Sequence, residues 1–364
     1  MWFQGVVKLM IQKELLRRNI PSLFDGIDTI QKWEKKREEI KDLFLKEEYG
    51  VLPEKIQPEI KVEKQGINFA GKAEWESVFF TFEKNGKSHT VRCELILPKN
   101  KENIPVFLFM DFEAKVPSKY LPVEEILDGG FGILAFCYKD VTSDDGDFTN
   151  GLCSLFAKEN GKCEFGKISI WTYMALSCMD YLENRKEVGR VAILGHSRLG
   201  KTALLASALD NRFILTCVNE SGQSGASLSR GKTEKNENIK KITDTFPFWF
   251  CENYFKYIDN EDALPFDQHM LLSLVAPRNV MIGGAMEDVW ADNEGQFLSC
   301  YLASPIWKLY GKNGFIHENK LPEAGEMLLD GEITFHLRYG EHFLSRYDWN
   351  VYMKKFKAIL NENN

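Results

Sequence analysis

The feature that most constrains the fold is an alternation of short apolar runs with helical stretches from residue 106 to residue 337. The runs of strand length are 106–110, 132–138, 191–195, 213–218, 280–284 and 333–337, and the helical stretches are 168–182, 201–209, 266–274 and 293–308. Such alternation is typical of a mostly parallel sheet that helices cover on both faces. We therefore predict an α/β fold with three layers, in which catalytic residues follow the carboxyl ends of strands.

The residues before this region follow two other patterns. Between residues 22 and 50, apolar side chains recur at helical spacing, which predicts a helix with a solvated charged face. Between residues 59 and 98, apolar side chains alternate on both sides of Asn85-Gly86, which predicts an antiparallel hairpin with a type I′ turn. We expect an N-terminal extension over residues 1–25 and a single domain over residues 26–364.

Composition and charge exclude several classes of protein. The chain has 364 residues, of which 46 are Lys or Arg and 53 are Asp or Glu, and its net charge of −7 disfavours a nucleic-acid partner. No apolar run has the length of a membrane span, so a membrane partner is not expected. The first 11 residues are interrupted by Lys8 and do not resemble a secretory signal, which predicts a cytoplasmic location, with Met10 as an alternative start.

Neither the cysteines nor the acidic clusters indicate a metal or a cofactor. The chain has eight cysteines and no CxxC pair, and several of them lie in apolar runs, so we expect reduced and mostly buried thiols. The run Asp144-Asp145-Gly146-Asp147 lacks the spacing and the final glutamate of a calcium loop, and it is interpreted as a solvated turn. We predict no metal and no organic cofactor.

Ser197 is the candidate nucleophile. It lies where the predicted strand 191–195 ends and a helix begins, as in the nucleophile elbow of an α/β-hydrolase. Gly195 and Gly200 flank it, although the second glycine comes one position later than in the common G-x-S-x-G pattern. The alternative is a serine that only caps the helix.

A serine nucleophile needs a histidine and an acid, which follow it along the chain in this fold. Of six histidines, only His342 lies in a turn after the last predicted strand, which makes it the candidate base. Two acids compete, because Glu220 follows the strand 213–218 and Asp288 follows the next strand. The position of Asp288, one strand before the histidine, places it slightly ahead on this reasoning.

Several motifs in the same order carry a resemblance to a known family. The segment Gly195-His196-Ser197-Arg198-Leu199-Gly200-Lys201 is similar to G-C-S-R-x-G-K, and Glu220-Ser221-Gly222-Gln223-Ser224-Gly225 is similar to E-S-G-x-G-G. The end of the chain adds Gly340-Glu341-His342-Phe343-Leu344 with Asp348-Trp349. Over residues 30–358 the chain resembles the family 15 carbohydrate esterases, the glucuronoyl esterases. These α/β-hydrolases cleave esters between 4-O-methylglucuronate on xylan and lignin alcohols.

The resemblance implies roles for further residues. It reverses the order of the acids, with Glu220 as the family acid and Asp288 as a second carboxylate that assists His342 or substitutes for Glu220. It implies Arg198 beside the oxyanion, and Lys201, Glu237 and Trp290 as sugar contacts. Two places depart from the family: Asp111-Phe112-Glu113-Ala114-Lys115 stands where the family has N-F-x-G-N, and Ser224 replaces a common glycine.

The sequence thus predicts a serine carbohydrate esterase that hydrolyses an ester of a uronic acid or a sugar through an acyl-enzyme. Its partner would be a carbohydrate ester, either a uronate ester or an acetylated sugar. An acetyl xylan esterase or short-acyl carboxylesterase is the alternative within enzymes. A non-catalytic carbohydrate-binding protein is the alternative outside them.

Overall fold

One ten-stranded sheet runs through the residues that the computed structural model describes, 11–23, 25–318 and 320–362. Its strands are β1 (Glu59–Asn68), β2 (Ala73–Lys84), β3 (Lys87–Pro98), β4 (Ile104–Asp111), β5 (Gly132–Cys137), β6 (Val188–His196), β7 (Phe213–Asn219), β8 (Asn279–Ala285), β9 (Met327–Leu328) and β10 (Ile333–Arg338). Their order in the sheet is β1-β2-β3-β5-β4-β6-β7-β8-β10-β9.

The six central strands, β5, β4, β6, β7, β8 and β10, are parallel, as the alternation predicts. The first three strands pair antiparallel at one edge, and β9 pairs antiparallel at the other. The predicted hairpin is β2 and β3, joined at Asn85 and Gly86 with φ of +52° and +73°. The structure adds β1 to this hairpin as a mostly exposed edge strand.

Helices cover both faces of the sheet. They are α1 (Ile30–Phe44), α2 (Val123–Asp128), α3 (Tyr138–Val141), α4 (Lys167–Glu183), α5 (Arg198–Leu209), α6 (Ile239–Thr245), α7 (Gln268–Ser273), α8 (Asn293–Leu309) and α9 (Arg346–Glu362), with short 3-10 turns at Gly151–Leu155, Pro247–Trp249, Glu252–Tyr257 and Glu261–Ala263. Helix α1 lies within the predicted helical stretch, and Thr29 caps its start by accepting from the amide of Lys32 at 3.3 Å.

Two apolar layers complete the three-layer arrangement. One buries Trp171, Leu204 and Phe297 from α4, α5 and α8, and the other buries Trp349 and Phe356 from α9. All eight cysteines lie among the described residues and are free thiols, and all but Cys163 are buried, as expected. No helix in the described part of the chain is long and apolar enough to cross a bilayer.

The described part of the N-terminal extension is attached to the domain. Residues 11–18 are helical, and the guanidinium of Arg18 is buried, where it donates to the carbonyl of Arg230 at 3.0 Å. The extension therefore packs on the domain through a specific polar contact. The alternative start at Met10 lies outside the described residues.

Candidate active site

Ser197 occupies a strained turn between β6 and α5. Its φ of +56° and ψ of −126° lie in a region that costs a non-glycine residue about 1–3 kcal/mol. The turn closes tightly, because a Cβ on Gly195 would lie 1.9 Å from the carbonyl oxygen of Leu199. The amide of Ser197 donates to the carbonyl of Asn219 at 2.8 Å, which fixes the turn against the end of β7. The late Gly200 packs against the same carbonyl, so the departure from G-x-S-x-G preserves the elbow.

His342 lies beside this elbow. It follows β10 in a turn, and its side chain is 42% exposed. Its ring contacts that of His196, with centroids 4.5 Å apart and planes tilted by 37°. His196 immediately precedes Ser197 and is itself buried. Its Nδ1 bonds to Oδ1 of Asn219 at 2.7 Å, and burial with the nearby His342 lowers its pKa to about 3. A neutral His196 therefore supports the ring of His342 without competing for its proton.

Both candidate acids reach Nδ1 of His342, at unequal distances. Oδ2 of Asp288 lies at 2.7 Å and Oε2 of Glu220 at 3.3 Å. Glu220 is tied elsewhere as well, because its Oε1 accepts from Arg338 at 2.7 Å and its Oε2 accepts from the amide of Phe343 at 3.3 Å. The geometry thus favours Asp288 as the main partner of His342, the reverse of the order that the family resemblance implies.

The charges in this cluster support the same assignment. Burial opposes a charged His342, yet the hydrogen bonds that it donates to Asp288 and Glu220 raise its pKa to about 9. Burial raises the pKa of Glu220 to about 7, against the opposite effect of His342 and Arg338. Burial acts upward on Asp288 too, but the hydrogen bond to His342 holds the pKa of that carboxyl below its ordinary value. Asp288 is therefore the more acidic of the two carboxyls beside the histidine.

Glu220, Asp288 and His342 are also close enough together to bind a metal ion, since their ligand atoms lie within 4.8 Å of one another. The 2.7 Å separation between Asp288 and His342 is that of a hydrogen bond with a proton between the two atoms. Arg338 also places a positive charge against Glu220. These contacts suit acid–base chemistry better than metal binding.

Arg198, the first residue of α5, is held in an aromatic box. Its guanidinium carbon lies 4.6 Å from the ring centroid of Trp249 and 5.1 Å from that of Phe246, and the rings of Phe112 and Tyr138 lie at 5.9 Å. Contacts of this kind stabilise a desolvated cation by about 2 kcal/mol. Nε of Arg198 is buried and has no hydrogen-bond partner among the described residues, so the side chain retains donor capacity.

The prediction of a solvated turn at Asp144–Asp147 is wrong for its first residue. Asp144 pairs through Oδ2 with Arg198 and accepts there from the hydroxyl of Tyr138 at 2.9 Å. Its Oδ1 accepts from Nε1 of Trp249 at 2.8 Å, and only 10% of its side chain is exposed. Asp145, in contrast, is 60% exposed. No sequence motif indicates this role, because Asp144 and Arg198 lie far apart along the chain.

The three residues implied as sugar contacts lie at different depths. Trp290 is 46% exposed and has the ammonium of Lys241 4.9 Å from its ring centroid, so it is not a core tryptophan. Glu237 is nearly buried beside it, and its amide donates to the carbonyl of Trp290 at 2.9 Å. Both therefore border the site on the side of Asp288.

Lys201 differs from its expected place. Its side chain is 3% exposed, and its ammonium donates to the carbonyls of Ser221 at 2.5 Å and Gln223 at 2.6 Å and to Glu237 at 3.4 Å. An ammonium has three donors, and all three are used within the described chain. Lys201 thus holds Glu237 and the segment after Glu220, and its contact with a sugar stays a prediction.

Sequence reasoning also missed Arg338. This residue ends β10, is buried, and contacts both Glu220 and the turn that carries His342. A charged residue at the carboxyl end of an apolar strand was the available signal. The segment after β4, which differs from the family pattern, contributes Phe112 to the aromatic box around Arg198. Asp111 is buried and accepts from the hydroxyl of Ser118 at 2.7 Å, so it supports the fold of this loop.

Comparisons with known proteins point to one family. The protein family described as "Glucuronyl esterase, fungi" matches residues 80–311. Carbohydrate esterase MZ0003, from an unknown prokaryotic organism, is 32% identical over 379 residues, with 91% of this chain and 87% of that protein covered. A 4-O-methyl-glucuronoyl methylesterase from Schizophyllum commune is 25% identical over 297 residues, with 78% and 70% covered. A solved glucuronoyl esterase from Solibacter usitatus has a TM-score of 0.84 at 32% identity, with 93% and 97% covered.

Proposed function

We propose that this chain, which belongs to the glucuronoyl esterase family, hydrolyses the ester of a uronic acid through an acyl-enzyme on Ser197. Membership of the family makes it a carbohydrate esterase of α/β-hydrolase fold and a carboxylic ester hydrolase. What we propose beyond family membership is the role of each residue in this reaction. The observation that carries them is the 2.7 Å hydrogen bond from His342 to Asp288, beside a strained serine elbow.

In the first half of the reaction, Nε2 of His342 accepts the proton of Ser197 as Oγ attacks the ester carbonyl carbon. The hydrogen bond from Nδ1 to Asp288 fixes the tautomer that leaves Nε2 free to accept, and it stabilises the imidazolium that forms. The negative charge that develops on the carbonyl oxygen is stabilised by Arg198 and by backbone N–H groups at the start of α5. A charged donor binds such an oxyanion more strongly than a neutral one.

In the second half, the tetrahedral intermediate collapses and the bond to the alcohol oxygen breaks. His342 gives its proton to the departing alcohol, and the uronic acid remains as an ester on Ser197. A water molecule then gives a proton to His342 and attacks the acyl carbon. The second collapse frees the acid, and the proton on His342 returns to Oγ of Ser197.

Two observations support a uronate as the acyl group: the activity named for a relative of this chain, and the side chains of Trp290 and Glu237 near the site. The relative from Schizophyllum commune is described as a 4-O-methyl-glucuronoyl methylesterase. The exposed ring of Trp290 offers a stacking surface for a pyranose, and Glu237 beside it offers an acceptor for a hydroxyl group. A short-acyl ester without a pyranose ring would use neither group.

The test compares two esters on the wild type and on Ser197→Ala. We expect the wild type to hydrolyse methyl glucuronate with a kcat/KM above that for p-nitrophenyl acetate, and the variant to hydrolyse neither. Hydrolysis of the acetate alone would make this chain an acetyl or short-acyl esterase. No hydrolysis of either ester by a folded wild type, together with binding of the sugar, would make it a non-catalytic carbohydrate-binding protein.

A further inference from the structure

Arg338 lies on the acid–base side of the site, where it contacts Glu220 and the turn of His342. Only 7% of its surface is exposed. Nη2 donates to Oε1 of Glu220 at 2.7 Å, and Nε donates to Oδ2 of Asp348 at 2.8 Å. One guanidinium thus joins two buried carboxylates that belong to different parts of the chain. Such a planar group, with five fixed donors, suits this task better than any other side chain.

The remaining donors of Arg338 hold the turn that carries His342. Nη2 also donates to the carbonyls of Glu341, at 3.0 Å, and of Phe343, which are the neighbours of His342 on either side. Nη1 donates to the carbonyl of Tyr339 at 2.8 Å. The guanidinium therefore fixes the backbone on both sides of the proposed base, and a shift of this turn would carry the imidazole with it.

Asp348 anchors the guanidinium from behind. It is fully buried near the start of α9, where its Oδ1 accepts from Nε2 of His336 at 2.7 Å. Its Oδ2 accepts from the amide and the hydroxyl of Ser345 at 2.8 and 2.7 Å. Asp348 thus reaches the turn of His342 through Arg338 and through Ser345, which follows His342 by three residues.

The charges explain why a cation is needed at this point. Glu220 and Asp288 are two carboxylates that share one histidine, and two like charges at such distances disfavour each other's ionisation. The groups that face Glu220 are His342, Asp288, Arg338 and the hydroxyl of Tyr352. Of these, Arg338 is the cation whose charge does not change during the proposed reaction.

We propose that Arg338 is a positioning residue for ester hydrolysis, which holds the turn of His342 and keeps Glu220 as a charged neighbour of that histidine. The proposal rests on the proposed function, since it requires His342 to act as the base. It assigns Glu220 to the link between Arg338 and the histidine turn, while Asp288 serves the imidazole directly. Arg338 touches no reacting atom.

The test uses Arg338→Met, Arg338→Lys and the double variant Arg338→Met/Glu220→Gln. We expect Arg338→Met to lower kcat by about 10²-fold with little change in KM, because a displaced base is costly while the sugar contacts stay in place. Arg338→Lys keeps the charge but loses the forked guanidinium that holds the turn. Its kcat should therefore lie between those of Arg338→Met and the wild type. The matched control is Arg346→Met, on the same segment, whose side chain is 77% exposed and pairs with Glu125; it should retain wild-type kcat.

The double variant separates charge compensation from a merely structural role. Without Arg338, an unpaired Glu220 retains its proton to higher pH, so the pH profile of Arg338→Met should show an ionisation that Arg338→Met/Glu220→Gln lacks. The double variant should also recover part of the lost kcat. Additive losses in the double variant, or wild-type kcat in a folded Arg338→Met or Arg338→Lys variant, would overturn the proposal. If Arg338→Met does not fold, the kcat of Arg338→Lys decides.

A second measurement separates this proposal from the proposed function. The rate at which a fluorophosphonate labels Ser197 depends on the serine and its base and needs no sugar. We expect slower labelling of Arg338→Met than of Arg346→Met. If Arg338→Met is labelled more slowly but the wild type hydrolyses no uronate ester, the positioning role of Arg338 is supported and the proposed substrate is refuted. Equal labelling of the two variants would refute the role of Arg338.

Discussion

The serine side of the site comes from seven consecutive residues, 195–201, whereas the acid–base side joins Glu220, Asp288, Arg338 and His342 from separate parts of the chain. On the serine side, steric contacts around Gly195 impose the strained turn. On the acid–base side, Glu220 also has a positive φ of +45°, but the positions depend in addition on which carboxylate pairs with which cation. The first side is thus fixed by local shape and the second by a balance of charges.

This contrast has a consequence for substitution. A change on the serine side removes a group with one task and leaves the rest of the turn in place. A change on the acid–base side redistributes protons and hydrogen bonds among several neighbours, so its effect depends on what else is present. The predictions below test this difference, from the largest expected effect to the smallest.

Ser197→Ala should abolish ester hydrolysis, with a loss of about 10⁶ in kcat, because no other group supplies the nucleophile. The backbone hydrogen bond from residue 197 to Asn219 does not involve the hydroxyl, so the fold should persist. Turnover of methyl glucuronate and the melting temperature of the variant check both parts. Retention of most of the turnover would refute the elbow assignment.

Asp288→Asn should lower kcat by about 10⁴, the loss that follows when the histidine tautomer is no longer controlled. Glu220→Gln should cost less, because its oxygen lies 3.3 Å from His342, against 2.7 Å for Asp288. The double variant should cost less than the product of the single losses if both acids serve one imidazole. A near wild-type Asp288→Asn beside an inactive Glu220→Gln would restore the order that the family resemblance implies.

Arg198→Ala should lower kcat by about 10²–10³ if its guanidinium stabilises the oxyanion. Asp144→Asn should lower kcat by a smaller factor, because it leaves the aromatic box in place but removes the charge that orients Arg198. Asp145→Asn in the same turn is the matched control, since Asp145 is largely exposed. Equal kcat values for Asp144→Asn and Asp145→Asn would show that Asp144 does not act through Arg198.

The value of kcat/KM should rise as the pH increases toward about 9. His342 accepts a proton only in its neutral form, and its pKa is raised to about 9. Asp288→Asn removes the nearest stabiliser of the imidazolium, so the rising limb should move toward the ordinary histidine value of about 6.5. Glu220→Gln should shift the limb less. An unshifted limb in Asp288→Asn would mean that the charge balance of the cluster does not control the base.

The sequence predicts the strands, the helices and the serine turn that surround this site. The period of apolar residues shows which segments are strands and helices, since burial on both faces requires apolar runs in central parallel strands. The turn at Ser197 is predicted from neighbouring glycines, because the steric requirement and the residues that meet it lie within a few positions. His342 is predicted by its place after the last strand of the pattern.

Other assignments required the positions of distant side chains. A short acidic run looks the same in sequence whether it is solvated, like Asp145, or buried against Arg198, like Asp144. Lys201 stands at the position of a sugar contact, yet its ammonium lies against Ser221, Gln223 and Glu237. In each case the partner comes from a distant part of the chain.

The sequence by itself determined the order of the strands along the chain, the serine elbow, the histidine, and the two acids able to serve it. The tertiary structure decided which of those acids lies nearer to the histidine, and hydrogen-bond strength changes over tenths of an ångström. Asp288 lies at hydrogen-bonding distance from His342, and Arg338 draws Glu220 toward the turn of the histidine. Sequence spacing contains no such distances, since they arise only when β7, β8 and β10 lie side by side in the sheet.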